Sequence, residues 1–161
     1  LLDVPAGTAV FTYRKYKKLK DADITCLDYS EDMLSQAKTR FEENQIEHIK
    51  TLQGDVGNLP FEESTFDIVL SMNGFHAFPD KDRAFQETWR VLKKGGEFIS
   101  CFYIKGKLKQ TDWLVRNILS KKGWFTPPFQ TENELKAILE KMYSKIEIHT
   151  DGAMVYFRCI K

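Results

Sequence analysis

No apolar run in this 161-residue chain approaches the roughly 20 residues a helix needs to cross a bilayer. No signal peptide is recognisable either. Cysteine is scarce: Cys26, Cys101 and Cys159 lie far apart, each in an apolar, strand-like run. That spacing excludes a disulfide framework and offers no metal site. The odd count and the setting point to reduced core thiols and a cytoplasmic protein. Charge of one sign is lacking too. With 24 Lys and Arg against 23 Asp and Glu, the net charge is +1. Such a balance supplies no field to gather nucleic acid or an anionic membrane, so neither is expected as a partner. The basic stretch Tyr13–Lys20 interleaves aromatics and leucine with its cations and reads as a solvated helix face. Repeats, low-complexity segments and linkers are all missing. Residues 1–161 are therefore read as one domain, with an ordinary hydrophobic content of 42%. Glycine is sparse where a dinucleotide site would need it. The positions of Gly-x-Gly-x-x-Gly fall on Pro5, Gly7 and Val10, or on Gly7, Ala9 and Thr12. The spacing acid-x-Gly-x-Gly-x-Gly falls on Asp3, Pro5, Gly7 and Ala9. Each register keeps a single glycine, which argues against a dinucleotide.

What is present is a strand, a tight small-residue turn and a helix, LLDVPAGTA, followed by a second apolar strand ending in an acid, ITCLDYSEDML. The turn lets backbone approach a ligand, and a helix N-terminus behind it offers free N–H groups. Asp28, about 20 residues past the turn, stands where an acid accepts from ribose hydroxyls. The pattern is that of a Rossmann-like unit holding a nucleoside.

Strands are predicted at Leu1–Val4, Ile24–Leu27, Ile49–Leu52, Phe66–Ser71 and Glu97–Ile104. A helix is predicted from about Thr8 to Leu19. Ser30 caps the next one, with Glu31 and Asp32 in its first turn and Met33, Leu34, Ala37 and Phe41 along one face. Asp80 caps a third helix running to Leu92, with Phe85, Trp89 and Leu92 on one side. Lys93, Lys94 and Gly95-Gly96 are expected to end it. Strands alternating with helices predict a parallel, doubly wound α/β sheet. Beyond it the pattern changes. Trp113–Leu119 reads as helical and Gly123–Gln130 as irregular. Thr131 and Glu134 form a capping-box pattern ahead of an apolar stripe of Leu135, Ile138, Leu139 and Met142. Two β-rich runs around Asp151-Gly152 predict a closing hairpin with a type I′ turn.

The segments Gly54–Asp80 (GDVGNLPFEESTFDIVLSMNGFHAFPD) and Ala84–Phe98 (AFQETWRVLKKGGEF), in order behind the first two, resemble the class I S-adenosylmethionine-dependent methyltransferases. The likeness is strongest to the small-molecule group that includes the enzymes of ubiquinone and menaquinone biosynthesis. It covers nearly the whole chain. It implies a mostly parallel Rossmann-like sheet of order 3-2-1-4-5-7-6 with a C-terminal antiparallel hairpin, the cofactor S-adenosyl-L-methionine, no metal, and a small-molecule methyl acceptor. The family also carries a helical segment before the first strand that covers the cofactor. The expectation is that such a segment is missing from this sequence.

The resemblance further implies roles. Asp3 orients the cofactor's amino end. Pro5, Ala6 and Gly7 form the turn against its methionine part, with Pro5 and Ala9 standing where the family has glycine. Asp28 takes the ribose, while Tyr29 and Met33 flank the adenine; Met33 reads equally well as core. Gly54, Asp55 and the Val56 N–H serve the adenine amino end. Asn73 and Gly74 follow the fourth strand at the sheet edge where ligands bind. His76 is the one plausible acid–base residue there, although a loop histidine is also commonly structural. His48 and His149 lie away from that edge. Trp113, Trp124, Phe125 and Phe129 read either as the wall of an acceptor pocket or as core, within a Lys105–Gln130 region expected to select the acceptor. Two rivals stand beside a methyltransferase: an NAD(P)-dependent oxidoreductase, and a nucleoside-binding domain without catalysis.

Overall fold

Alternation along the first strand divides the molecule. In the computed structural model, which describes residues 1–161, β1 spans Leu2–Asp3. Leu2 and Val4 enter the larger of the two main cores. Asp3 faces the other way, toward Tyr16, as the two-residue period of a strand requires. The remaining strands are β2 (Ile24–Asp28), β3 (Ile49–Gln53), β4 (Phe66–Met72), β5 (Leu92–Tyr103), β6 (Lys145–Asp151) and β7 (Met154–Ile160). They form one seven-stranded sheet of order β3-β2-β1-β4-β5-β7-β6. Strands β1 to β5 pair in parallel. Strand β7 runs antiparallel to both β5 and β6.

Helices α1 (Tyr13–Tyr16), α2 (Glu31–Glu43), α3 (Lys81–Val91), α4 (Lys109–Leu114) and α5 (Glu132–Met142) complete the fold, with a π-helical turn at Val115–Leu119 continuing α4. The larger core joins β1, β4, β5 and β7 to α3 and α5 through residues such as Val69, Phe85, Phe98 and Leu139. The smaller joins Ala9, Tyr16, Ile24, Cys26, Ala37 and Phe41 on the opposite face. All three cysteines are buried and free. No helix is long and apolar enough to cross a membrane.

Local signals hold where a side chain meets nearby backbone. Ser30 Oγ accepts from Met33 N–H, Asp80 Oδ1 from Arg83 N–H, and Thr131 and Glu134 close a full capping box. Four predictions shift. The helix expected over Thr8–Leu19 shrinks to Tyr13–Tyr16, because Gly7 and Ala9 sit at φ +55° and +53°, outside helical space. Helix α3 stops at Val91 rather than at the glycine pair, and Leu92 opens β5 directly. Gly96 then lies at the irregularity where Phe66 pairs with Leu92 but Ile68 with Glu97. A Cβ there would stand 2.9 Å from the carbonyl oxygens of Asp67 and Lys93, so the glycine serves a close strand approach instead of a helix cap. In the terminal hairpin Asp151 pairs with Met154, leaving Gly152-Ala153 as the loop. Positive φ at Gly152 alone is the pattern of a type II′ turn, not type I′. Trp89 and Met33, predicted on buried faces, are 38% and 43% exposed.

Candidate cofactor site

The turn after β1 and the end of β2 are tied by one carboxylate. Gly7 N–H donates to Asp28 Oδ2 at 2.7 Å, and Ser30 N–H donates to Asp28 Oδ1 at 2.9 Å. Asp28 is thus both a ligand candidate and the clasp of its own loop. Each oxygen keeps a further lone pair for an incoming hydroxyl. From α2, the Arg40 guanidinium donates to the Thr8 carbonyl, which pins the far side of the turn. A Cβ at Gly7 would meet nothing within 4 Å, so that surface lies open.

Asp3 gives the cleft its chemistry. The side chain is 1% exposed. Tyr16 Oη donates to its Oδ2 at 2.7 Å, while Oδ1 is buried with no hydrogen-bond partner. Burial pushes the carboxyl up to about 7, against the pull of the Tyr16 and Thr12 hydroxyls. An orphan oxygen in a native interior needs an explanation. Asp3 lines a cleft with Pro5, Ala6, Gly7, Phe11, Met33 and Asn73, where an ammonium would supply the missing donor.

Asp55 and Val56 line a second, neighbouring depression with Gly57, Asn58, Asp80 and Arg83. Asp55 Oδ1 accepts from Gly57 N–H at 2.8 Å. The Val56 N–H donates to nothing within the protein and remains free. Gly54 N–H donates to the Asp28 carbonyl, joining β3's end to β2's. Tyr29 is 77% and Met33 43% exposed, so the expected adenine flank is open to solvent.

Gly74 also has a packing part. A Cβ there would sit 2.2 Å from Pro5 Cδ and 2.8 Å from Phe78 Cζ. The β4 loop therefore seats directly on the β1 turn. Phe75 plugs it into the core, stacked within 5.4 Å of Phe102. Asn73, at φ +57°, is left at the cleft. The two residues in family glycine positions are likewise absorbed by packing. Pro5 fills the space above Gly74, and Ala9, 2% exposed, joins the smaller core.

His76 stacks on Phe125 with ring centroids 4.1 Å apart, and its Nδ1 accepts from Tyr103 N–H at 3.4 Å. Burial, then the charge of Lys81, pushes the imidazole down to about 4. It is neutral at pH 7, and because Nδ1 accepts, Nε2 carries the proton and is a donor. Phe125, Phe129 and Tyr103 form a small aromatic cluster, whereas Trp113 and Trp124 face outward, 60% and 58% exposed. The first two belong to a packed wall and the tryptophans do not. Sequence reasoning missed Tyr16, which reads as part of a solvated basic helix. Its contact with Asp3 spans 13 residues and leaves no local signature.

This geometry fits a nucleoside that carries an amino acid better than a dinucleotide. The turn N–H that would meet a pyrophosphate is spent on Asp28. The helix behind the turn has four residues and starts only at Tyr13, so it presents little dipole. A buried carboxylate with an orphan oxygen suits a cation and would repel a phosphate.

Comparisons agree. Residues 1–96 match the family described as a methyltransferase domain. A demethylmenaquinone methyltransferase of Bacillus cereus is 37% identical over 99 residues, 61% of this chain and 42% of its own length. A 2-methyl-6-phytyl-1,4-hydroquinone methyltransferase of Oryza sativa is 29% identical over 159 residues, 92% of this chain and 44% of its own. The chain spans under half the length of these curated relatives. Among solved structures, an S-adenosylmethionine-dependent methyltransferase of Thermotoga maritima shares the fold, with a TM-score of 0.78 at 22% identity over 99% of this chain and 80% of that one. With the family match covering more than half of the sequence and the strand order β3-β2-β1-β4-β5-β7-β6, the chain belongs to the class I S-adenosylmethionine-dependent methyltransferases.

Proposed function

We propose that this domain transfers a methyl group from S-adenosyl-L-methionine to an apolar aromatic small molecule of the hydroquinone type. The observation that carries the reading is the unpartnered Asp3 Oδ1 beside the open Gly7 turn, with Asp28 clasping that turn. Asp3 would hold the cofactor's ammonium, Asp28 its ribose hydroxyls, and the free Val56 N–H its adenine edge. When bound, the cofactor supplies an activated methyl on a sulfonium.

The protein's share is placement and exclusion of water. His76 is positioned for one more task. With Nδ1 accepting from Tyr103 N–H, the neutral ring carries its proton on Nε2 and would donate a hydrogen bond there to the oxygen of a hydroquinone-type acceptor, which orients the acceptor. The neighbouring cluster of Phe125, Phe129 and Tyr103 is apolar and aromatic, as a hydroquinone ring requires. The acceptor class is supported by those residues and by the two quinone-type relatives.

The test is transfer from methyl-labelled cofactor to a prenylated hydroquinone, with a water-soluble amine for comparison. Labelled hydroquinone is the expected product, formed more than tenfold more slowly by His76→Ala. Labelling of the amine alone would contradict the acceptor class. Cofactor binding with no transfer to either would favour a binding domain without catalysis.

A further inference from the structure

Exposed apolar side chains are not spread evenly over this molecule. Leu108, Trp113, Leu114, Ile118 and Trp124 are all more than a third exposed, and all fall within 17 consecutive residues. The same stretch is strongly basic. Lys105–Trp124 holds Lys105, Lys107, Lys109, Arg116, Lys121 and Lys122 against Asp112 alone, a local charge of +5 in a chain of +1. The balanced total conceals this patch.

The outward residues are not displaced core. The segment has its own interior: Val115 is buried with Tyr103 and Ala153, and Leu119, Phe125 and Phe129 pack against them. Trp113, Leu114 and Ile118 are exposed and take no part in it. The one acid is spent internally, since Asp112 accepts from Tyr103 Oη at 2.6 Å and from Gly106 N–H at 2.9 Å. Lys105 and Lys107 pair with Glu134 and Glu132. Lys109, Arg116, Lys121 and Lys122 make no ion pair. The Lys122 ammonium stands 5.0 Å from the Trp124 ring centroid, which brings a cation and an indole to one level of the surface.

We propose that Lys105–Trp124 docks this domain on the surface of an anionic lipid bilayer. Indoles suit the boundary between headgroups and acyl chains, because one edge is apolar and the N–H stays wet. Leu108, Leu114 and Ile118 enter the acyl boundary, and the four unpaired cations meet lipid phosphates. Nucleic acid would use the cations and stack on the indoles, but it has no use for three exposed aliphatic side chains. The patch adjoins the end of β5, where Tyr103 meets His76 and Phe125. A docked domain therefore turns its aromatic cluster toward the lipid, where an apolar acceptor dissolves.

Vesicle co-sedimentation tests this without cofactor or acceptor, so its failure leaves the methyl-transfer reading standing. The chain is expected to sediment with vesicles of phosphatidylcholine containing about a third phosphatidylglycerol. Binding should fall at least tenfold on pure phosphatidylcholine or in 0.5 M salt. Trp113→Ser with Trp124→Ser should lower binding more than tenfold, and so should Lys109, Arg116, Lys121 and Lys122 all changed to Gln. Both variants alter exposed side chains, and unchanged melting curves would confirm that they fold. Quenching of tryptophan emission by brominated lipid, lost in the double tryptophan variant, reports insertion directly. Equal binding by the variants, no binding to anionic vesicles, or a tryptophan-dependent dimer in place of lipid binding would each overturn the proposal.

Discussion

Asp3→Asn is expected to stabilise the protein at pH 8 and to cost it cofactor affinity. The folded-state proton affinity of Asp3 is raised, to about 7 from an ordinary 3.8. A raised carboxyl favours the protonated fold. Its burial is harmless at pH 3 to 4, destabilising progressively as pH rises toward 7, and fully costly above that. About three units correspond to roughly 4 kcal/mol at the upper end. Asparagine keeps the shape, still accepts from Tyr16 Oη, and carries no charge. Thermal melts should show wild-type stability falling from pH 5 to 8 relative to the variant. His76 works in the opposite sense: its lowered pKa adds stability above pH 6.5 that is lost as pH falls toward 4. The informative quantity is therefore the difference between the two proteins, in which His76 cancels. Losing a charged hydrogen-bond partner for the cofactor's ammonium costs about 1.5–3 kcal/mol, or roughly 10- to 150-fold in affinity. A variant with the wild-type pH slope would show that Asp3 is ionised in the fold from the start.

Gly74→Ala is expected to be the most destabilising single methyl in the chain. The added carbon would stand 2.2 Å from Pro5 Cδ, and a proline ring has no rotamer to yield. Overpacking of this severity costs at least about 3 kcal/mol, a fall of about 6–12 °C in melting temperature at this size. The β1 turn and the β4 loop are the two bodies forced apart, so affinity for S-adenosylhomocysteine should fall with stability. Pro5→Ala in the same chain removes the obstructing ring. Much of the loss should then be recovered, giving a coupling energy well above the few tenths of a kcal/mol seen between independent sites. Melting within 2 °C of wild type for the single variant would contradict the packing described.

The order of elements was legible because most strands of the parallel sheet carry an apolar run, and because Ser30, Asp80 and Thr131 cap helices through contacts three residues away. Failures occurred where distant chain decides local shape. Nothing in PAGTA shows that Gly7 and Ala9 take left-handed backbone and remove two turns of helix. Lys93–Gly96 has the composition of a helix end, yet strand pairing with β4 captures Leu92 first. The position of Asp28 was readable, while its double duty as clasp of Gly7 and Ser30 was not. Asp3 was readable as an unusual acid in a strand. The Tyr16 hydroxyl that fixes one oxygen and leaves the other bare is visible only once the chain is folded. The patch at Lys105–Trp124 escaped notice because a charge summed over the whole chain averages it away.

The cleft around Asp3, Gly7 and Asp28 is the proposed seat of S-adenosylmethionine. Calorimetric titration with S-adenosylhomocysteine tests it most directly, beside NADH and beside the Asp28→Ala variant, whose fold is checked by circular dichroism. Saturable binding of one S-adenosylhomocysteine per chain is expected, with no binding of NADH and at least a tenfold loss in the folded variant. Tighter binding of NADH, or an Asp28→Ala variant that binds S-adenosylhomocysteine as wild type does, would contradict it.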